Sequence, residues 1–586
     1  MLEQKFIERL VDSVQWSRRQ LASFQMKRMD ILRQYVGRHY GGTAGCRERV
    51  PQNFIRLQLS ILTRHLVSRN PAVMCEASEP SLRPVAFGLQ QWANKAFQAM
   101  GLELTLKRWA MDALIFPIGM IKVCSGMSSV YDGHPDLVAW ADTVDPERSV
   151  YDMNAASWNQ LDYIGHRYTA PKESLTGPGF DQALVASLQP DRDQATTDEG
   201  VEKTESLQQE DQQHDRRLRD YIDCWELFLP KEGILVTFPI VGNEIDRRPI
   251  RFEEYLGPRN STNTGPFHIL GFDEVPGALM PTPPVHAILD MHEAINRGTR
   301  KLLRQMDRQK TNLLVSQAGS GDADKVRRAG DGDIVPVTHP DAFQETRFGG
   351  PDQQNLAYLL HLKNQISYFG GNFEVMGGLG AQAPTKGQEE LLAASSSKLI
   401  EFYQGETVGR TKGICEALLW HEWHSRRPMP FTVQPEGLPE FATQDAITPE
   451  DRYGGGVSRW GQIGIDVHPY SMRPVSPEQR VGQWMQLFQQ LIMPMAPMLM
   501  QQGAAIDFVA FVKKMAQYMG LPDLDEVLRI IPVDIAAQQE QQGGGSDQSP
   551  RIRPPGTGEY TRTSVSGPEA QDQEVMAAMQ EGESQN

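Results

Sequence analysis

The 586 residues are too many for one hydrophobic core, so two or more domains, or one elongated subunit of several parts, are expected. A net charge of −16 excludes a protein that coats nucleic acid by bulk attraction, and any contact with phosphate has to be local. Five cysteines, Cys46, Cys75, Cys124, Cys224 and Cys415, form no CxxC or metal spacing and read as reduced structural thiols of a cytosolic setting. The opening MLEQKFIERLVDS carries charges throughout, and no later stretch has the apolar length of a membrane span, so a protein made and assembled in the cytoplasm is expected.

In chain order, Leu2 to Tyr40 places Phe6, Leu10, Val14, Leu21, Phe24 and Leu32 on a helical period and stops at Gly41 and Gly42. Further helices are expected from Pro51 to Arg69, Pro84 to Met100 and Leu102 to Leu114, leading into a strand around Phe116 to Val123. From Asp136 to Ala170 and from Tyr221 to Val241, short alternating segments such as VAWAD, YIGHRY and CWELFLP predict a β-rich domain. Inside it, Gln189 to Arg217 is acidic, Gln-rich and almost free of large apolar residues, the composition of a disordered insertion.

The stretch from Pro281 to Ser425 is the most informative. Pro283 and Pro284 open a helix that is expected to run to Gly319, roughly 50 Å at 1.5 Å per residue. Val285, Ile288, Leu289, Met291, Ile295, Leu302, Leu303, Met306, Leu313 and Leu314 define its apolar stripe. Arg297, Arg300, Lys301, Arg304 and Arg308 stand at offsets of three, four, seven and eleven from the first and share a face. That face suits phosphate or acidic side chains; the plainer reading is a solvated face laced with ion pairs to Asp290, Glu293 and Asp307. Gly319 to Gly350 reads as a small hairpin-like excursion around DIVPV, Gln353 to Phe369 as a returning helix, and Gly370 to Gly387 as an exposed mobile loop carrying Lys386. Gln388 to Ser425 resumes a long helix through Gly405, Gly409 and Gly413. Strands at Phe431 to Val433 and Gly464 to His468, a helical stretch from Pro477 to Met519 and a disordered tail complete the chain.

No catalytic signature emerges. The glycine loop ends in Thr385, Lys386, Gly387, with the wrong order and spacing for a phosphate-binding loop. His421, Glu422 and His424 form HEWH, one residue short of the zincin spacing, so a packed helix end beside Trp420 and Trp423 is the better reading. Asp322, Asp324, Asp331 and Asp333 sit among glycines as turn formers, and Asp507 and Asp523 form no motif. No cofactor and no metal are expected, and the chain reads as a non-enzyme.

The order of parts resembles phage portal proteins of the podovirus-like kind, the ring-shaped head-to-tail connectors of tailed phages. MDALIFPIGMIKV (Met111–Val123, with Asn53 to Pro71 before it), VDPERSVYDMNA (Val144–Ala155), the run from Phe267 to Asn312, and IDVHPYSMRP (Ile465–Pro474) carry the resemblance. It implies an α+β, mainly α, portal-type ring subunit. Its parts would be a wing over 1–280, stem helix 1 over 281–318, a clip over 319–350 and stem helix 2 over 351–369. A tunnel loop over 370–387, a long wing helix with returning strands over 388–476, crown helices over 477–536 and a disordered tail over 537–586 would follow. The acidic insertion has no place in that pattern.

The resemblance further implies a twelve-fold homo-oligomeric ring at one capsid vertex of the virion, through which double-stranded DNA is packaged and ejected. It implies partners in the terminase large subunit, head–tail adaptor and tail proteins, and capsid and scaffolding proteins, with no membrane. Lys386, Arg297, Arg300, Arg304 and Arg308 are the candidate DNA-channel residues, the arginines serving equally well as salt-bridge partners between subunits. Two other classes compete: a capsid-internal or scaffold-like structural protein without a channel, and a nucleic-acid-processing enzyme with an unrecognised site.

Overall fold

The structure is a computed structural model and describes residues 3–37, 52–126, 137–177, 179–189, 220–242, 244–258, 262–317, 320–330, 334–371, 386–425, 427–433, 443–454, 456–468, 471–472 and 486. Helix and strand are mixed, as the sequence pattern indicates. The expected acidic insertion beyond residue 189, most of the glycine loop before Lys386, the helical stretch from Pro477 and the tail lie outside the described residues.

Four helices begin the chain: α1 (Gln4–Val36), α2 (Phe54–Leu66), α3 (Arg83–Met100) and α4 (Leu102–Ile115). Helix α1 buries Ile7, Leu10, Val14, Leu21 and Ile31 at helical spacing and stops at Gly37, whose φ of 83° closes the last turn on the carbonyls of Arg33 and Gln34. The end therefore comes before the Gly41–Gly42 pair, because Gly37 already supplies the left-handed residue. Asn53 caps α2 by accepting the Arg56 N–H, and its amide donates to the carbonyls of Gln34 and Tyr35, tying the two helices together.

Strand β1 (Val73–Ala77) lies between α2 and α3, and β2 (Gly119–Ser125), β3 (Ala139–Val144), β4 (Ser149–Tyr151) and β5 (Ile164–Pro171) follow α4. After the short α5 (Gln182–Ser187) come β6 (Tyr221–Leu229), β7 (Ile234–Val241), β8 (Glu244–Ile245), β9 (Arg251–Glu254) and β10 (Phe267–Leu270). Strands β4, β5, β6, β7 and β8 lie in that order in one antiparallel sheet, with β9 also on β7; β10, β2 and β3 form a second. The β-rich domain thus forms where alternation predicts it. Its apolar core, with Trp225, Phe228, Phe238 and Tyr163, takes in the first half of α1, whereas the second half of α1 meets the core of α2, α3 and α4. Between the two cores Arg28, 5% exposed, reaches Glu147 at 2.7 Å, Asp145 at 3.3 Å and Asp112 at 3.6 Å, so one guanidinium joins α1, α4 and the turn before β4.

The next region corrects the expectation of one helix from Pro283 to Gly319. Helix α6 (His286–Asp307) spans 22 residues, roughly 33 Å, and is followed by β11 (Lys310–Val315). Leu313 and Leu314, assigned to the helical stripe, lie in that strand. It pairs antiparallel with β12 (Phe343–Phe348), Lys310 opposite Phe348 and Val315 opposite Phe343, and this distant pairing overrides a local apolar spacing that fits either period. The excursion is therefore bounded by β11 and β12 and contains α7 (Ala323–Arg328), while Ile334 to Val337 of the DIVPV run form no strand. Helix α8 (Gln353–Phe369) returns over the expected residues, and α9 (Lys386–His424) runs 39 residues through all three glycines.

Lys386, expected in the loop, is the first residue of α9. Beyond α9, β13 (Met429–Val433) pairs with β14 (Thr443–Ile447); α10 (Pro449–Arg452) leads to the small pair β15 (Tyr453–Gly454) and β16 (Val457–Ser458). Strand β17 (Ile463–Val467) returns to pair with β1 at the other end of the sequence. No helix among the described residues is long and apolar enough to cross a membrane.

Candidate nucleic-acid interface

Helix α6 presents two unlike sides. Ile288, His292, Ile295, Asn296 and Leu302 are buried, and α8 meets this part of the molecule with Leu362 and Ile366. The two helices approach closely at Gly298, where a Cβ would stand 2.5 Å from Leu359 Cδ2. A buried polar chain fixes α6 to the start of the molecule: His292 Nδ1 lies 2.9 Å from Gln34 Oε1, and the Gln52 N–H donates to Asn296 Oδ1 at 2.8 Å. Asn296 also places its Nδ2 3.3 Å from His292 Nε2, so both imidazole nitrogens are engaged.

On the outer side, Arg297 is exposed and donates to Glu293 Oε1 at 2.7 Å, one turn back. Arg304 and Arg308 are exposed as well, near the end of the helix. Arg300 departs from them: it is half-buried and turns its Nε onto the Asn296 carbonyl at 3.2 Å. The structure therefore brings Arg297, Arg304 and Arg308 to the solvent side of one helix, places Arg300 partly inside, and puts Lys386 at the start of another helix. An exposed pair such as Arg297–Glu293 is worth a fraction of a kcal/mol, about 0.3–0.5, so its guanidinium remains available to a stronger anion.

The excursion beyond α6 is closed by Asp322. Its carboxylate accepts the N–H and hydroxyl of Thr338, at 2.9 and 2.8 Å, and pairs with Lys325 at 2.8 Å; these bonds hold its pKa well below the usual carboxylate range. Lys325, Arg327 and Arg328 make α7 cationic, and Ile334 beside it is 97% exposed. Along α8, Leu356, Tyr358, Leu360, Tyr368 and Phe369 are exposed, large apolar side chains spread around the helix and left uncovered by the described residues.

The HEWH residues form a packed helix end. Glu422 accepts the N–H groups of Val138 and Ala139 at 2.5 and 3.0 Å, and Trp423 is fully buried with its Nε1 donating to Ser458. His424 Nε2 lies 3.2 Å from Ser458 Oγ, and burial draws the pKa of His421 down to about 4. Among the described residues no cluster of histidine, cysteine and carboxylate side chains is arranged to hold a metal. Of the cysteines, Cys75, Cys124, Cys224 and Cys415 are free thiols, and burial pushes Cys75 and Cys224 up to about 12.

Sequence reasoning missed Arg452, which is fully buried and donates to the carbonyls of Glu422, Trp423, Ser425, Arg427 and Ile447. It satisfies the orphan carbonyls at the end of α9 from 25 or more residues away for four of the five, and no local pattern announces that. Arg28 and His292 escaped notice for the same reason, and Asp322 was read only as a turn former: their partners are set by tertiary structure.

No curated protein matches the chain. A protein-family model described as Phage SU10 portal protein matches residues 140–402, from β3 through the sheet of β4 to β9, then β10, α6, the excursion and α8 into the first half of α9. That match supports the resemblance to phage portal proteins read from the sequence.

Proposed function

We propose that the chain is one subunit of a closed homo-oligomeric ring, twelve-fold in symmetry, at one capsid vertex of the virion, with a central channel for packaging and ejecting double-stranded DNA. The observation that carries the reading is the family match over residues 140–402, which contains the whole α6–excursion–α8 arm. The geometry of that arm supports it. Helices α6 and α8 would be the stem, the β11–β12 excursion with α7 the clip, residues 370–387 the tunnel loop, the sheets with α1 to α4 the wing, and residues 477–536 the crown.

Two physical features fit this role. The exposed apolar side chains of α8 call for neighbours, and identical subunits in a ring supply them to every copy. A chain of net charge −16 repels the duplex over most of its surface, so DNA slides rather than sticks, and the few outward cations Arg297, Arg304 and Arg308 centre it. Arg300, turned inward, would belong instead to the packing of the stem. The cationic α7 with Ile334 beside it offers the motor or adaptor an exposed face of mixed charge and apolar character, suited to the terminase large subunit during packaging and to adaptor and tail proteins afterwards. The role is non-enzymatic and needs no cofactor; assembly occurs in the host cytoplasm with capsid and scaffolding proteins.

Electron microscopy of the purified chain tests this. Class averages showing closed rings with a hole wide enough for a duplex are expected; monomers or irregular aggregates at every salt and protein concentration would return weight to a scaffold-like protein without a channel.

A further inference from the structure

Strands β2 and β3 turn Lys122, Cys124, Trp140 and Asp142 to one face of their sheet, since Lys122 stands opposite Asp142 and Cys124 opposite Trp140. Strands β5 and β6 turn His166, Tyr168 and Glu226 to one face of theirs, with His166 opposite Glu226. The two faces look at each other, because Lys122 of the first pairs with Glu226 of the second at 2.5 Å. On one side of that pair the space between the sheets is filled by Met120, Ile164 and Phe228 of the shared core. On the other it stays open, a cleft of about 660 Å³ walled by the half-buried rings of Trp140 and Tyr168. That volume lies within the ordinary range of ligand sites.

Most charges around the cleft are already matched. Asp145 is taken by Arg28 at 3.3 Å, Arg167 by Asp223 at 2.7 Å, and Lys122 and Glu226 by each other. His166 adds no cation, because burial and then the charge of Lys122 hold its pKa down at about 3. Two charges are left over. Arg148 and Asp142 are exposed, both line the cleft, and neither makes an ion pair among the described residues; the Asp142 carboxylate accepts only the N–H of Thr143, at 2.8 Å.

The cleft therefore offers one free charge of each sign beside two aromatic walls. Nucleic acid carries a single sign throughout, so it would satisfy Arg148 and be repelled by Asp142. A polypeptide segment with both signs satisfies both, and an apolar residue between them gains contact with the rings.

We propose that this cleft docks a mixed-charge segment of a partner protein, its carboxylate on Arg148, its cationic side chain on Asp142 and an aromatic residue between them against Trp140 and Tyr168. The site is distinct from the α7 surface. It does not depend on the ring, since one subunit holds every residue of it.

Ligand-observed NMR titration of the full chain tests this with four capped tripeptides and a short DNA duplex. The mixed-charge peptides are acetyl-Lys-Trp-Glu-amide and acetyl-Glu-Trp-Lys-amide; the single-sign ones are acetyl-Glu-Trp-Glu-amide and acetyl-Lys-Trp-Lys-amide. One mixed-charge peptide should bind with a Kd of about 1 mM or below, at least fivefold tighter than either single-sign peptide. Arg148→Gln and Asp142→Asn should each weaken it at least threefold and leave the thermal midpoint unchanged, because neither charge is paired within the chain. No binding of either mixed-charge peptide up to about 5 mM would overturn the proposal, as would binding that ignores both substitutions. A duplex that binds tightest and is lost in Arg148→Gln would overturn it as well, assigning the cleft to phosphate.

Discussion

The end of α9 and the α6–α8 arm solve the same problem, how to finish a long helix, in opposite ways. At the end of α9 every partner comes from within the chain: Arg452 closes on five carbonyls, Glu422 takes two backbone N–H groups, and Trp423 is fully buried. Along the arm, α8 buries only Leu362 and Ile366 and turns Leu356, Tyr358, Leu360, Tyr368 and Phe369 outward, while α6 leaves Arg297 and Arg304 exposed. The first region is complete in one subunit, whereas the second has the surface of a part made to be covered. Stability is therefore expected to concentrate in the sheets, α1 to α4 and the end of α9, leaving the arm for the assembly proposed above.

Breaking the finished region should have the largest effect. Arg452→Ala removes a buried guanidinium that donates to five carbonyls, of which Glu422's keeps its bonds from Ser425, and should cost about 2–3 kcal/mol, read as a lower urea midpoint; Arg452→Lys keeps the charge without the fork and should recover less than half. An Arg452→Ala protein as stable as the parent would show that α9 is not held there.

Acid should act on the same side of the contrast. Burial lowers the pKa of His268 to about 4 and of His166 to about 3, below the ordinary 6.5 of an unfolded histidine. Between these values the unfolded chain binds more protons than the folded one, so this stability is full above pH 6.5 and drains as the pH falls. The slope is about 1.4 kcal/mol per pH unit for each imidazole, and urea titrations at pH 6.5, 5.5 and 4.5 should show it. Glu226, whose pKa is lowered chiefly by Lys122 against the cost of burial, adds a loss of the same sign below about pH 4.3. A flat profile from 6.5 to 4.5 would contradict the buried placement of both histidines.

Within the arm, Gly298→Val should cost about 1–2 kcal/mol by driving a side chain into Leu359, and Leu359→Ala in the same chain should return part of it. Additive losses would mean that α6 and α8 do not cross at Gly298. The smallest effect on stability belongs to Arg297→Ala with Arg304→Ala, within about 0.5 kcal/mol because both are exposed. The same pair should nevertheless lower the yield of packaged DNA in assembled particles, and an unchanged yield would remove these arginines from the channel.

Much of the fold was legible because its signals are local. The stripe of α1, the alternation in β5 and β6 and the proline–glycine punctuation all act within a few residues. The helix expected to reach Gly319 failed at Lys310, since Leu313 and Leu314 satisfy either period and the deciding partner, β12, lies some thirty residues on. The candidate site was legible in part for a related reason. Spacing put the arginines on one side, but only packing shows that Arg300 folds back onto Asn296, that Arg297 meets Glu293 and that Lys386 begins a helix. Arg452, the bonds of Asp322 to Thr338 and the His292 chain were invisible because a hydrogen-bond partner distant in sequence leaves no periodic trace.

The central claim is that α6 lines a channel in a closed ring, and a three-dimensional electron-microscopy reconstruction of the assembled protein tests it most directly. The account predicts a duplex-wide lumen with Arg297 and Arg304 facing the axis and the exposed apolar side chains of α8 covered by neighbouring subunits. A closed ring with the α6–α8 arm on its outer rim, its arginines turned away from the axis, would contradict it.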